Sequence, residues 1–242
     1  LDRCIVVIPT YNERENLPLL VPQVLARDPR IEVLVVDDGS PDGTGKVADE
    51  LHAANPRVHV LHRPEKQGLG PAYRAGLRRA LELGADVVVQ MDADFSHPPD
   101  ALDALLAEIE HYDAVMGSRY LSGITVVNWP IERILLSWFG NWYVRKVTGL
   151  PLTDTTGGFR ALRRQALEAL DLERIRANGY AFQIEINYRL HHQGARLKEI
   201  PFFFLDRTRG ASKLTLWIGI EALWMAWWLR IAGALGRLKR RS

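Results

Sequence analysis

The stretch Val87-Val88-Val89-Gln90-Met91-Asp92-Ala93-Asp94-Phe95-Ser96-His97-Pro98-Pro99 passes from unbroken valine to two carboxylates one residue apart. Asp86 and Val87 to Val89 predict a buried strand, β-branched and too short for a helix. Ser96 to Pro99 predict a turn into a helix that carries Leu102, Leu105, Leu106 and Ile109 on one face. Asp92 and Asp94 then stand at the carboxyl end of a core strand, where open α/β sheets bind ligands. Two carboxylates turned the same way form a hard oxygen site for Mg²⁺ or Mn²⁺, completed by substrate phosphates. A solvated acidic turn is the competing reading of a bare Asp-x-Asp. The apolar strand before it and the loops around it weigh against that reading.

Working outward, Cys4 to Ile8 read as a first strand closed by Pro9, followed by the polar loop from Pro9 to Asn16. Glu32 to Val36 is a second strand that ends in Asp37-Asp38-Gly39-Ser40. Val58 to Leu61 is a third, and Ala114 to Met116 is a short strand ending in Gly117-Ser118-Arg119-Tyr120. Helical patterns separate these strands. The alternation predicts an α/β fold, a mostly parallel sheet with helices on both faces. Tyr11 and Glu13, Asp38, Asp92 and Asp94, and Arg119 each follow a different strand. In a parallel sheet those ends share one edge, enough for a nucleotide-sized site. In Lys66-Gln67-Gly68-Leu69-Gly70 the glycines allow either close backbone approach to a ligand or a plain turn. Neither the Rossmann fingerprint nor the P-loop spacing is present.

At 242 residues the chain suits one large domain, or one domain with an appendage. A net charge of +2 gives no global field for nucleic acid. Arg237, Lys239, Arg240 and Arg241 crowd the end, as an anionic membrane contact or a solvated tail. Cys4 is the single cysteine, so no disulfide within the chain and no Cys/His zinc pattern is available. It is expected to be a small buried hydrophobe. No signal-peptide pattern opens the sequence, and a cytoplasmic protein is expected.

The second half changes character. Ile131, Ile134, Leu135, Trp138, Phe139 and Trp142 recur at helical spacing and are expected in the core or on the sheet. Thr153 to Arg160 read as a polar, flexible loop, on the acceptor side of a site or a plain turn. Ala177 to His192 is a helix and Glu199 to Leu205 a strand. Asp206 to Lys213 hold three cations with Gly and Ser, suited to closing over phosphates. Leu214 to Leu235 form a last helix with four tryptophans, broken by Glu221 and Arg230. An amphipathic helix at a membrane interface is preferred. A buried dimer or domain helix is the runner-up, and a spanning helix is disfavoured by its charges. The division expected is 1–213 for the catalytic domain and 214–242 for a membrane-associating helix and basic tail.

Several motifs then fall into a known order: Pro9-Thr10-Tyr11-Asn12-Glu13-Arg14-Glu15-Asn16, Val36-Asp37-Asp38-Gly39-Ser40-Pro41-Asp42-Gly43-Thr44, Lys66 to Gly70, and Met91 to Pro98. Gly117 to Tyr120, Asn128-Trp129-Pro130, Asp206-Arg207 and Ser212-Lys213 continue it. In these the chain resembles the polyprenol (dolichol) phosphate mannose synthases of glycosyltransferase family 2, which have the GT-A fold. The resemblance covers nearly the whole chain to Lys213 and weakens in the final helix. It implies that Pro9, Tyr11, Glu13, Val36 and Asp38 hold the nucleoside, with help from Lys66. It implies that Asp92, Ala93 and Asp94 meet metal and diphosphate, and it places Ser96 where the family has a metal ligand. Arg119, Arg133, Arg207 and Lys213 would contact phosphates of donor and acceptor.

The reaction so implied is inverting transfer of mannose from GDP-mannose to a polyprenyl or dolichyl monophosphate, with Mg²⁺ or Mn²⁺. Asp94, Arg119, Arg133, Arg207 and Lys213 are the residues expected to carry it. The protein would lie peripherally on the cytoplasmic face of a membrane, and a membrane-anchoring subunit is among the partners implied. An acceptor phosphate is largely ionised at neutral pH, so no general base is expected. Asp154 is the candidate if one is needed. Two alternatives stay open: glucose transfer from a UDP-sugar, and a non-enzymatic sugar-nucleotide binder at the membrane.

Overall fold

The computed structural model describes residues 2–175, 177–206, 216–236 and 238. Its main sheet has seven strands: β1 Cys4–Thr10, β2 Ile31–Asp37, β3 Val58–His62, β4 Val87–Gln90, β5 Ala114–Ser118, β7 Arg160–Arg163 and β8 Leu197–Pro201. Their order across the sheet is β3-β2-β1-β4-β7-β5-β8. All pairings are parallel except those of β7, which runs antiparallel between β4 and β5. Two short strands, β6 Val126–Val127 and β9 Phe204–Leu205, pair in parallel beside it. The expected mostly parallel α/β sheet is thus observed.

Alternation along β1 explains the layers. Ile5 and Val7 point into one core, with Tyr73 and Leu77 of α3 Leu69–Glu82 and Phe182 of α7 Gly179–His192. Val6 and Ile8 point into the other, with Leu17 and Leu20 of α1 Leu17–Leu25 and Leu102 and Leu105 of α4 Ala101–Ile109. Helices therefore cover both faces.

Four expectations change. Pro9 does not close β1, which continues to Thr10. Val7 faces β4, since its carbonyl accepts from Met91 N–H at 3.1 Å, and Pro9 has the same facing two residues on. The β4 ladder has already ended at Gln90, so the missing proline N–H goes unneeded there. The stretch Glu199 to Leu205 divides between β8 and β9. The segment 153–158 is not flexible. Asp154 and Thr155 are buried, and the Glu199 carboxylate accepts from Thr153 N–H at 2.6 Å and Asp154 N–H at 2.8 Å. Asn141 Oδ1 accepts from Thr155 N–H at 2.7 Å on the other side.

The fourth change is in α5 Ile131–Thr148. Its apolar stripe was expected inside, yet Ile131 is 62% exposed, and Leu135, Leu136, Trp138, Phe139 and Trp142 are exposed too. Only Asn141, Val144 and Thr148 of this helix are buried. The last helix, α8 Leu216–Ala234, packs on α5 and α7. Ala226, Leu229 and Ala232 join the same core as the sheet, while Trp224, Trp227, Trp228 and Ile231 are exposed. Trp227 Nε1–H donates to Tyr143 of α5 at 2.9 Å. Among the described residues, no helix is long and apolar enough to cross a membrane.

Candidate active site

Parallel strands bring the carboxyl ends of β1, β2, β4 and β5 to one sheet edge. Because β7 is reversed, its amino end joins them, with Arg160 in register with both Gln90 and Met116. At that edge lies a cavity of about 520 Å³, within the range of small-molecule sites.

Pro9, Tyr11, Glu13, Asp38 and Lys66 line it. Lys66 Nζ sits 3.8 Å from the centroid of the Tyr11 ring, a cation over a π face. The Glu13 backbone N–H donates to Thr44 Oγ1 at 2.9 Å, and Asn16 Nδ2 donates to the Glu13 carboxylate at 2.7 Å. Asp38 is buried and pairs with Arg63. Burial pushes the Asp38 pKa up, and the Arg63 guanidinium offsets only part of that. Val36 does not reach the cavity. It is fully buried in the core that receives α3. Gly68 lines the cavity, as close backbone approach to a ligand requires, whereas Gly70 does not. A Cβ on Gly70 would lie 2.5 Å from the Ala177 carbonyl, and Gly70 N–H donates to Asn178 Oδ1 at 2.9 Å. The loop is narrow so that it can seat the start of α7.

Asp92, Ala93 and Asp94 line the next part of the wall. The Tyr73 hydroxyl donates to Asp92 Oδ1 at 3.0 Å, and Asp92 N–H donates to His97 Nδ1 at 3.0 Å. Burial, reinforced by the Asp92 charge, pushes the Tyr73 pKa far up, so its proton stays on the phenol. Phe95 has φ +61°, a strained conformation for an aromatic residue. That turn folds Ser96 back, and its N–H and hydroxyl both donate to Asp94 Oδ1, at 3.1 and 2.6 Å. Ser96 is fully buried and outside the cavity lining. Its hydroxyl orients Asp94 instead of presenting an oxygen to a ligand. His97 lines the cavity and was missed; its signal was its place within the quoted stretch, five residues after Asp92.

The donor set fits a hard divalent cation. Two carboxylates stand at the cavity wall, and the bonds from Tyr73 and Ser96 each use one oxygen of a carboxylate. No group of three or more His, Cys, Asp or Glu among the described residues could hold a metal alone. A cation here would need further oxygens from a bound phosphate, as Mg²⁺ commonly does.

Arg119 and Arg133 line the cavity as well. Arg119, at the end of β5, is buried and donates through Nε and Nη2 to both oxygens of Asp154, at 2.6 and 2.7 Å. Asp154 also accepts from the N–H groups of Arg119 and Gly157. Although burial opposes ionisation, the Arg119 guanidinium holds the Asp154 carboxyl below the usual range. Asp154 is therefore a counterion and no base: its oxygens are committed and its proton affinity is low. Arg133 pairs with Asp206 at 3.1 Å and lies 3.8 Å from the centroid of the Trp129 ring. Arg207 and Lys213 lie outside the described residues.

The sequence model of the family described as "Glycosyl transferase family 2" matches residues 5–171. The chain is 48% identical over 221 residues to an undecaprenyl-phosphate mannosyltransferase of Micrococcus luteus, covering 91% of each. It is 49% identical over 216 residues to a polyprenol monophosphomannose synthase of Mycolicibacterium smegmatis, covering 88% of this chain and 82% of that one. Among solved structures, it is similar in fold to glucosyl-3-phosphoglycerate synthase of Mycobacterium tuberculosis in complex with Mn²⁺, UDP and glucosyl-3-phosphoglycerate. The TM-score is 0.63 at 19% identity, covering 100% of this chain and 82% of that one. A mannosyltransferase of Pyrobaculum calidifontis in complex with GDP-Man and Mn²⁺ aligns with a TM-score of 0.57 at 19% identity, covering 97% and 74%.

Proposed function

Because the chain belongs to glycosyl transferase family 2 and has its GT-A fold, we propose that it transfers mannose from GDP-mannose to a polyprenyl monophosphate. The product is polyprenyl phosphate β-mannose. The observation that carries this reading is one cavity whose lining brings the acidic pair Asp92 and Asp94 together with the guanidiniums of Arg119 and Arg133. Pro9, Tyr11, Glu13, Asp38 and Lys66 take the nucleoside end, and Asp92, Ala93 and Asp94 take the diphosphate. A Mg²⁺ or Mn²⁺ ion held by Asp92 and Asp94 would supply a Lewis acid that offsets charge on the departing GDP.

Arg119 and Arg133 grip the acceptor phosphate and aim one oxygen at the anomeric carbon. A phosphate monoester has a second pKa of about 6, so it arrives at pH 7 as its own nucleophile and no side chain need take a proton. As the new C–O bond forms, the bond from the anomeric carbon to the diphosphate oxygen breaks, and GDP leaves with that electron pair. Attack opposite the leaving group inverts the configuration. Arg207 and Lys213 complete the phosphate contacts in this reading, on the strength of the sequence.

The exposed face of α5 and α8 is read as the membrane contact. Helix α5 starts beside the cavity, where Arg133 and Trp129 line it, and its exposed Leu135, Leu136, Trp138 and Phe139 lead away from that end. A lipid tail bound by its phosphate at Arg133 therefore meets an apolar surface at once. Trp224, Trp227 and Trp228 extend it, and Arg145, Lys146 and Arg230 are exposed on the same two helices. Tryptophan and basic residues together suit a headgroup boundary.

Calorimetry with Mn²⁺ present tests the donor. GDP-mannose is expected to bind and UDP-glucose to bind at least tenfold more weakly, roughly one to two lost polar contacts. The reverse order would overturn the donor assignment.

A further inference from the structure

Arg160, at the amino end of β7, is fully buried and has no carboxylate among its hydrogen-bond partners. Nη1 donates to Asn187 Oδ1 at 2.8 Å, and Nη2 donates to the Gly157 carbonyl at 2.7 Å and to Gln183 Oε1 at 2.5 Å. Burial lowers its pKa to about 10, which still leaves it charged at neutral pH. A buried cation satisfied only by neutral oxygens is costly. Its effect on those oxygens is specific. A guanidinium can only donate, so Gln183 must turn its carbonyl toward Arg160 and its NH₂ the other way.

That NH₂ points at the cavity. Gln183 is 2% exposed and lines the cavity from α7, and its Nε2 donates to no described residue. A Cβ on Gly158, another lining residue, would lie only 3.1 Å from it. The absence of a side chain there keeps the amide open to a ligand. The location is defined by two chains of contact. Phe182, the preceding residue, stacks on Tyr73, whose hydroxyl holds Asp92. On the other side, Arg160 holds Gly157, whose N–H binds the Asp154 that holds Arg119. Gln183 therefore shares one cavity lining with the acidic pair and with Arg119. Gly157 and Gly158, the lining residues beside it, carry no side chain and no charge.

We infer that Gln183 is a specificity-determining residue that donates a hydrogen bond to a hydroxyl of the transferred hexose, with Arg160 as the positioning residue that fixes its amide. The inference rests on the proposed transfer from a nucleotide sugar and names the part of the donor that this side chain reads. A neutral donor in a cavity whose charged groups serve the phosphates suits a hydroxyl.

Gln183→Glu tests it, because a carboxylate still accepts from Arg160 but has no hydrogen to offer the cavity. Calorimetry with Mn²⁺ should show GDP binding within about twofold of wild type and GDP-mannose binding weakened about tenfold, one lost hydrogen bond. Gly158→Ala, which crowds the amide from the other side, should give the same selective loss if Gln183→Glu folds poorly. Arg160→Lys keeps a charge without the fork and should also weaken GDP-mannose more than GDP. Equal weakening of GDP and GDP-mannose in the Gln183 and Gly158 variants, or no weakening, would overturn the role given to Gln183. A melting-temperature drop with an unchanged GDP-mannose to GDP ratio in Arg160→Lys would overturn the role given to Arg160. Wild-type protein that binds GDP but not GDP-mannose would instead overturn the proposed function itself.

Discussion

On one wall of the cavity two carboxylates, Asp92 and Asp94, are oriented by the neutral donors Tyr73 and Ser96. On the other wall two guanidiniums, Arg119 and Arg133, are oriented by the carboxylates Asp154 and Asp206. The difference is one of electrostatics. Tyr73 and Ser96 aim the acids and bring no countercharge of their own, so that wall suits a cation. Carboxylate partners aim the arginines and cancel much of their charge, so that wall offers geometry more than field. An anionic acceptor gains mainly from donors already in place, as in preorganised sites generally.

The largest effect expected is at the acidic wall. Asp94→Asn should lower turnover on the order of a thousandfold, the scale of losing one preorganised electrostatic contact, with little change in melting temperature. Near-normal rates at saturating Mn²⁺ would erase the distinction between the walls. At the arginine wall, Asp154→Asn should cost stability instead. Leaving Arg119 buried without its counterion is worth about 3–5 kcal/mol by analogy with other broken buried pairs, read by urea denaturation. A loss of activity with normal stability would mean that Asp154 acts on substrate after all. Replacing both Trp138 and Trp224 by Ala should weaken binding to anionic vesicles by about tenfold or more, given their apolar area. GDP-mannose affinity should not change. Asp206→Asn lies at a half-buried pair and should cost under about 1 kcal/mol of stability, while raising KM for the lipid phosphate.

Acidity separates Asp154, behind the arginine wall, from Asp38, at the nucleoside end, in sign. Asp154 titrates below its ordinary value of 3.8 when folded. Between those two values the unfolded chain holds a proton that the folded chain lacks, so this group's stabilisation is lost as pH falls below about 3.8. Asp38 titrates above 3.8 when folded. Its contribution runs the other way: it favours the folded state at low pH and is lost as pH rises through the folded value. Denaturation curves of Asp154→Asn and Asp38→Asn across this range should therefore diverge from wild type in opposite directions.

The acidic wall was legible because its residues follow parallel strands whose ends must meet. Val36, expected at the nucleoside end from the resemblance alone, is turned by strand alternation into the core under α3. The arginine wall was less so. Arg119 and Arg133 were identified, but Asp154 was read within a flexible segment. The groups that pin that segment, Glu199 and Asn141, come from elements distant in sequence. The reversed strand β7 is only four residues long and begins and ends in arginine, so no apolar run announced it. Gln183 sits in a helix whose buried residues include polar ones on several sides, which blurs periodicity. The α5 stripe failed for a related reason. Spacing tells which side chains share a face, and says nothing about whether protein or lipid covers it.

Mannosyl transfer is read out by incubating the protein with GDP-mannose labelled in the sugar, a divalent cation and polyprenyl monophosphate, and following label into the lipid phase. A β-linked mannosyl lipid phosphate is expected, formed with polyprenyl phosphate and absent with the unphosphorylated polyprenol. Label transferred equally to the free alcohol, or transferred only from UDP-glucose, would contradict it.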